Sequence, residues 1–221
     1  RGLIYMILLL GFISILSLYS IDKGQGSIYV KHAIRFAFAF FILLIVAFKH
    51  ISFWHRYAYH LYFFILFLLI ILKFVGVTAK GAQRWLDFGF FHVQPSEIAK
   101  LAIILVLAKF YNAVKVENTN KLFSLLVAAI LILIPFLLVL RQPDLGTAVL
   151  ILGAALGTLW IVGLDRKIFI SGFIVVLLCL PFIFANLKPY QKQRVVNFFN
   201  TERDPLGANY QVIQSKIGIG S

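Results

Sequence analysis

Apolar residues come in seven long runs, at about 3–21, 33–48, 57–77, 95–111, 121–140, 144–163 and 167–187, separated by short polar connections. Each run approaches the roughly 20 residues a helix needs to cross hydrocarbon. No stretch alternates apolar and polar residues one by one, so closed strands are not how this backbone satisfies its hydrogen bonds in lipid. The first run is long enough to span and no small-residue cleavage site follows it, which separates it from a signal peptide. The pattern predicts an all-α polytopic membrane protein with about seven transmembrane helices in this chain. One polar passage breaks the rhythm. Residues 188–216 carry five Lys or Arg and two carboxylates, interleaved with Tyr190, Val195, Val196, Phe198, Phe199, Tyr210, Val212 and Ile213. A solvated flexible loop has little use for so many aromatic and branched side chains. The passage is expected to fold, partly as amphipathic pieces, against a membrane surface. Polarity thus divides the chain into a helix bundle, 1–187, and a loop domain, 188–221.

Composition supports this and adds a charge question. The chain is 62% apolar and 13% charged, where a soluble domain carries about a quarter of its residues as charges. Cys179 is the single cysteine and lies inside an apolar run, so it forms no disulfide within the chain and reads as a packing residue. The net charge of +13 does not point to nucleic acid, because the cations sit in the connections rather than along one soluble face. Membrane surfaces and anionic lipid head groups are the natural partners. Seven crossings put the two ends on opposite sides. The side of the connections near 22–32, 78–94, 141–143 and the tail (face A) holds twelve Lys and Arg. The opposite side (face B) holds eight, and Lys100 lies within a span. Without the tail the two sides are nearly level, so the positive-inside rule does not orient the chain. Should face A be outside, its surplus cations call for an anionic substrate. The chain opens at Arg1 and stops after Gly218-Ile219-Gly220-Ser221, as if cut from a longer one, and is expected to be inactive alone.

Two spans open alike, Gln94-Pro95-Ser96-Glu97 and Gln142-Pro143-Asp144. Proline suits a first helical turn, and an acidic residue suits the positive end of the helix dipole. Both are good helix starts; a sharper reading joins them in a polar cup whose backbone N–H groups meet phosphate. In the sixth span Gly146, Leu150, Gly153 and Gly157 form a stripe suited to close helix packing. His50, His55 and His60 repeat at five, about 140° apart around a helix, which disfavours shared metal ligation. Trp54, Tyr57, Tyr59 and Tyr62 nearby read as an interfacial aromatic belt.

Three places could carry chemistry. The connection KGAQRWLD is either a capped interfacial loop with a snorkelling Arg84 and a belt Trp85, or presents Lys80 and Arg84 as cations to a lipid-linked anion. Glu97 and Lys100 are three residues apart and meet on one helical face. An isolated charge within hydrocarbon costs at least about 2.5–3.5 kcal/mol, so the two either neutralise each other or line a polar cavity. Asp204, in Glu202-Arg203-Asp204-Pro205-Leu206-Gly207, either caps a turn or acts as a base. Glu202 is a rival carboxylate, and spacing does not choose between them.

The strings KGAQRWLDFG, QPSEIAK, QPDLGTA, YQKQRV, NTERDPLGANYQ and IQSKIGIGS together resemble the SEDS family, and within it the RodA branch. The likeness runs in order through nearly every face A connection. It implies a fold of ten transmembrane helices, of which this chain is similar to the first seven and most of the large extracytoplasmic loop that follows. It also implies a glycosyltransferase that polymerises lipid II into peptidoglycan during cell elongation and shape maintenance. The implied partner is a class B penicillin-binding protein, and the implied location is the bacterial cytoplasmic membrane, with face A outside. By the same resemblance the essential loop aspartate is Asp204, and the sensitive pair of the fourth helix is Glu97 and Lys100. The pyrophosphate of the donor is already a good leaving group, so one base suffices where a hydrolase would want two carboxylates. Asp204 would take the acceptor hydroxyl's proton, an effect of roughly 10²–10⁴-fold. Lys80, Arg84, Lys100, Arg194 and Arg203 would steady the departing charge. No cofactor is required by the sequence; a divalent ion bridging phosphate to Asp204 is compatible with it, but no ligand cluster demands one. A lipid II flippase and a non-catalytic scaffold of the elongation complex are the alternatives. A flippase needs charges spread down the bundle, and the middles of the other spans are bare.

Overall fold

The computed structural model describes residues 2–22, 28–79, 82–87, 92–142, 144–185, 192 and 210–220. Its helices are α1 (Gly2–Ile21), α2 (Ile28–Phe48), α3 (Ile51–Val75), α4 (Pro95–Ala113), α5 (Leu122–Arg141), α6 (Leu145–Val162), α7 (Arg166–Ala185) and α8 (Tyr210–Ile219). The chain divides into two compact units, 1–164 and 165–221. α7 falls with the second, whereas polarity alone groups it with the other apolar runs. Among the described residues five helices are long and apolar enough to cross a membrane, namely α1, α2, most of α3, α5 and α6. The chain is a multi-pass helical membrane protein.

α4 is the exception in the first unit, and its polarity explains why. It carries Glu97, Lys100 and Lys109, and it packs between α3, α5 and α6 rather than facing lipid all round. Pro95, Ser96, Ala99, Ala102, Ile103, Val106, Leu107 and Tyr111 form its buried face. α6 turns Thr147, Ala148, Ile151, Ala155 and Leu159 inward. Small residues on both helices allow the close approach that drives association where lipid is as apolar as leucine. The expected stripe of Gly146, Leu150, Gly153 and Gly157 is not that face. All four are exposed, and a Cβ on any of the three glycines would meet nothing within 4 Å.

α5 shows how a proline is accommodated. Pro135 lies inside the helix and is fully buried. It has no N–H to give the carbonyl four residues back, and that carbonyl belongs to Leu131. The Tyr62 hydroxyl of α3 donates to Leu131 O at 2.8 Å. Tyr62 is therefore a buried packing residue, only 2% exposed, and not part of an aromatic belt. α1 and α2 pack on each other: Gly11 lets the Phe36 ring lie against the α1 backbone, and Ser14 Oγ meets His32 Nε2 at 3.0 Å.

The connection between α3 and α4 is not a simple turn. It forms a three-stranded antiparallel sheet, β1 (Val77–Ala79), β2 (Ala82–Asp87) and β3 (His92–Val93). β2 packs on α3 and α4, with Leu86 buried. This small sheet feeds directly into Gln94, the residue that opens α4.

Candidate functional site: the joined starts of α4 and α6

Gln94 is the N-cap of α4, yet its side chain makes no cap bond. Its Nε2 donates instead to Asp144 Oδ2 at 3.1 Å, across to the start of α6. Asp144 caps α6 itself, accepting from Thr147 N at 3.4 Å and from Thr147 Oγ1 at 2.9 Å. Gln142 Nε2 donates to the Leu69 carbonyl of α3 at 2.9 Å and fastens the end of α5. Asp144 and Gln142 are both buried. The two Gln-Pro starts do come together, as a cup requires. The α6 start, however, already holds a carboxylate at its positive end, so it is not an open anion site.

Lys100 is the first cation along α4. Its Nζ lies 2.8 Å from Glu97 Oε2, with side-chain exposures of 24% and 55%. A pair this exposed contributes only about 0–1 kcal/mol to stability. Its position is more telling than its energy. Lys100 is six residues from Gln94 along α4, about 9 Å of helix, which places it near one interface. Residues 101–108 then carry no charge at all. The next cation, Lys109, donates to the Arg56 carbonyl at 2.7 Å and lies 4.8 Å from the Tyr59 ring centre, at the far end.

Of the other residues singled out, Arg84 has its backbone in β2, and its side chain lies outside the described part. Lys80, Arg194, Glu202, Arg203 and Asp204 lie outside the described residues. On β2 and β3, Asp87 and His92 are register partners, with Asp87 Oδ2 3.6 Å from His92 Nε2. The histidines near α3 take separate roles: His50 Nδ1 accepts from Ser52 N at the helix start, His55 Nε2 meets Asn112 Nδ2 at 3.4 Å, and His60 packs on Tyr57. What the sequence reading missed is the Gln94–Asp144 bond. Its signal was present in the repeated Gln-Pro-(x)-acidic starts, but only packing could show that one start reaches the other.

Comparison with known proteins identifies the family. The family model for FtsW, RodA and SpoVE, described as cell cycle protein, matches residues 2–221. The peptidoglycan glycosyltransferase MrdB of Escherichia coli K12 is 41% identical over 170 residues, covering 75% of this chain and 44% of the relative. MrdB of Helicobacter pylori 26695 is 33% identical over 210 residues, covering 94% of this chain and 54% of the relative. The chain thus spans about half the length of these curated relatives. Among solved structures, a chain of a peptidoglycan synthase complex that coordinates polymerization and crosslinking superposes on all of this chain and 65% of its own. Its TM-score is 0.82 at 30% identity. The rod shape-determining protein RodA of Thermus thermophilus covers 80% of this chain and 58% of its own at a TM-score of 0.67 and 26% identity. The chain belongs to the FtsW, RodA and SpoVE family of cell cycle proteins.

Proposed function

We propose that the protein is a peptidoglycan glycosyltransferase that polymerises lipid II in the bacterial cytoplasmic membrane during elongation, working with a class B penicillin-binding protein. The relatives named as peptidoglycan glycosyltransferases supply the activity, and the synthase complex supplies the kind of partner. In this reading the 188–221 loop is extracytoplasmic. Asp204 accepts the proton of the attacking sugar hydroxyl. Lys80, Arg84, Lys100, Arg194 and Arg203 steady the diphosphate as the bond to it breaks, and Glu97 holds Lys100 in place. Positioning supplies a further share, since both sugars are held beside one interface by their lipid tails.

One observation favours polymerisation over transport. The charged pair of α4 sits within about 9 Å of the helix start, and the uncharged stretch 101–108 separates it from Lys109. A path for a diphosphate across the membrane would need polar groups along that stretch; a reaction at one interface does not. The test is to supply lipid II to the full-length protein and its partner in detergent micelles, where there are no two leaflets to cross. Glycan chains on a gel are expected. Their absence under conditions where the complex assembles would support the flippase or the scaffold instead.

A further inference from the structure

We infer that the outward face at the start of α3 is a binding site for an anionic phospholipid, separate from the proposed reaction site. Phe53, Trp54, Tyr57, His60, Leu61 and Phe64 line a groove of about 290 Å³. Phe53, Tyr57, His60 and Phe64 recur at helical spacing on the side opposite the buried face of Ala58, Tyr62, Ile65 and Leu69. The groove is therefore not core. Its volume lies at the lower edge of the roughly 300–1,000 Å³ typical of small-ligand sites, so it suits a length of acyl chain.

Cations border the aromatic wall. Lys49 Nζ stands 5.4 Å from the Phe53 ring centre, and the Arg56 guanidinium carbon 5.9 Å from that of Tyr57. Arg56 lies about 100° around the helix from Tyr57, on the flank of the groove rather than along it. Neither cation has a carboxylate partner among the described residues. The connections at this end of the first unit hold Lys49, Arg56, Lys109, Lys115 and Lys121 against Glu117 alone. An apolar groove bordered by two unpaired cations complements a lipid whose phosphate head carries net negative charge, and not a zwitterionic one.

Trp54 makes the site self-reporting. The full-length protein in which Trp85, Trp160 and every tryptophan outside residues 1–221 are replaced by phenylalanine, so that Trp54 alone emits, would be placed in phosphatidylcholine vesicles. Phosphatidylglycerol or phosphatidylcholine with brominated acyl chains would then be titrated in. Half-quenching is expected at a roughly tenfold lower mole fraction of the brominated anionic lipid. Lys49→Gln with Arg56→Gln should abolish that preference, while Lys115→Gln with Lys121→Gln, which change the same end but touch no groove ring, should keep it. Equal quenching by both lipids would overturn the proposal. So would loss of the preference in both double variants, since that would mean surface charge without a site.

Discussion

The buried Asp144 carboxylate accepts hydrogen bonds from its own helix, at Thr147 N and Oγ1, and from Gln94 Nε2. Replacing it with alanine removes the α6 cap and frees the amide that joins two helix starts. A capping loss alone costs about 1 kcal/mol, so Asp144→Ala should lower the unfolding free energy of the purified protein by at least that much in a denaturant titration. Gln94→Leu should cost less, because Thr147 remains capped; equal losses would place the bond's importance in the link and not in the cap. Lys100 differs, since its ion pair is too exposed to matter for folding. Lys100→Ala and Arg84→Ala are expected to leave the protein folded and slow glycan synthesis by roughly tenfold or more. Lys23→Ala should do little. Similar rates for all three would remove the fixed cations from the mechanism.

At the scale of elements, the tie between α3 and α5 turns on one missing N–H. If the Tyr62 hydroxyl serves the carbonyl that Pro135 leaves free, Tyr62→Phe should cost about 0.6–1.7 kcal/mol, the range of hydrogen bonds within membrane bundles. In the Pro135→Leu background, where the helix supplies its own donor, the same change should cost much less. A double-mutant cycle with no coupling would contradict the assignment. Helix existence was legible from apolar runs, and α4 to α6 begin and end within two residues of the expected edges. α2 and α3 start five or six residues early, because Lys31, His55 and Arg56 sit in helical turns near an interface, where long polar side chains reach water. The sheet was not legible, because its strands are two to six residues long and read as a polar turn. Nor was the inward face of α6: glycines mark a surface where a helix can approach closely, but neighbours decide which face is used.

For the whole molecule, order along the chain revealed more than any single motif. Three of the six strings that carried the family likeness fall on the connections now traced to β1–β3 and to the joined starts of α4 and α6, and the other three lie within 188–221. The proposed base is the part of the account most dependent on resemblance, because local spacing leaves Glu202 and Asp204 equivalent. The most direct measurement therefore compares Asp204→Asn with Glu202→Gln in full-length protein, each purified with its crosslinking partner and given lipid II. Asp204→Asn should keep the complex and make no glycan chains, whereas Glu202→Gln should make chains at a rate within a few-fold of the unaltered protein. Chains of ordinary length and rate from Asp204→Asn would contradict the account.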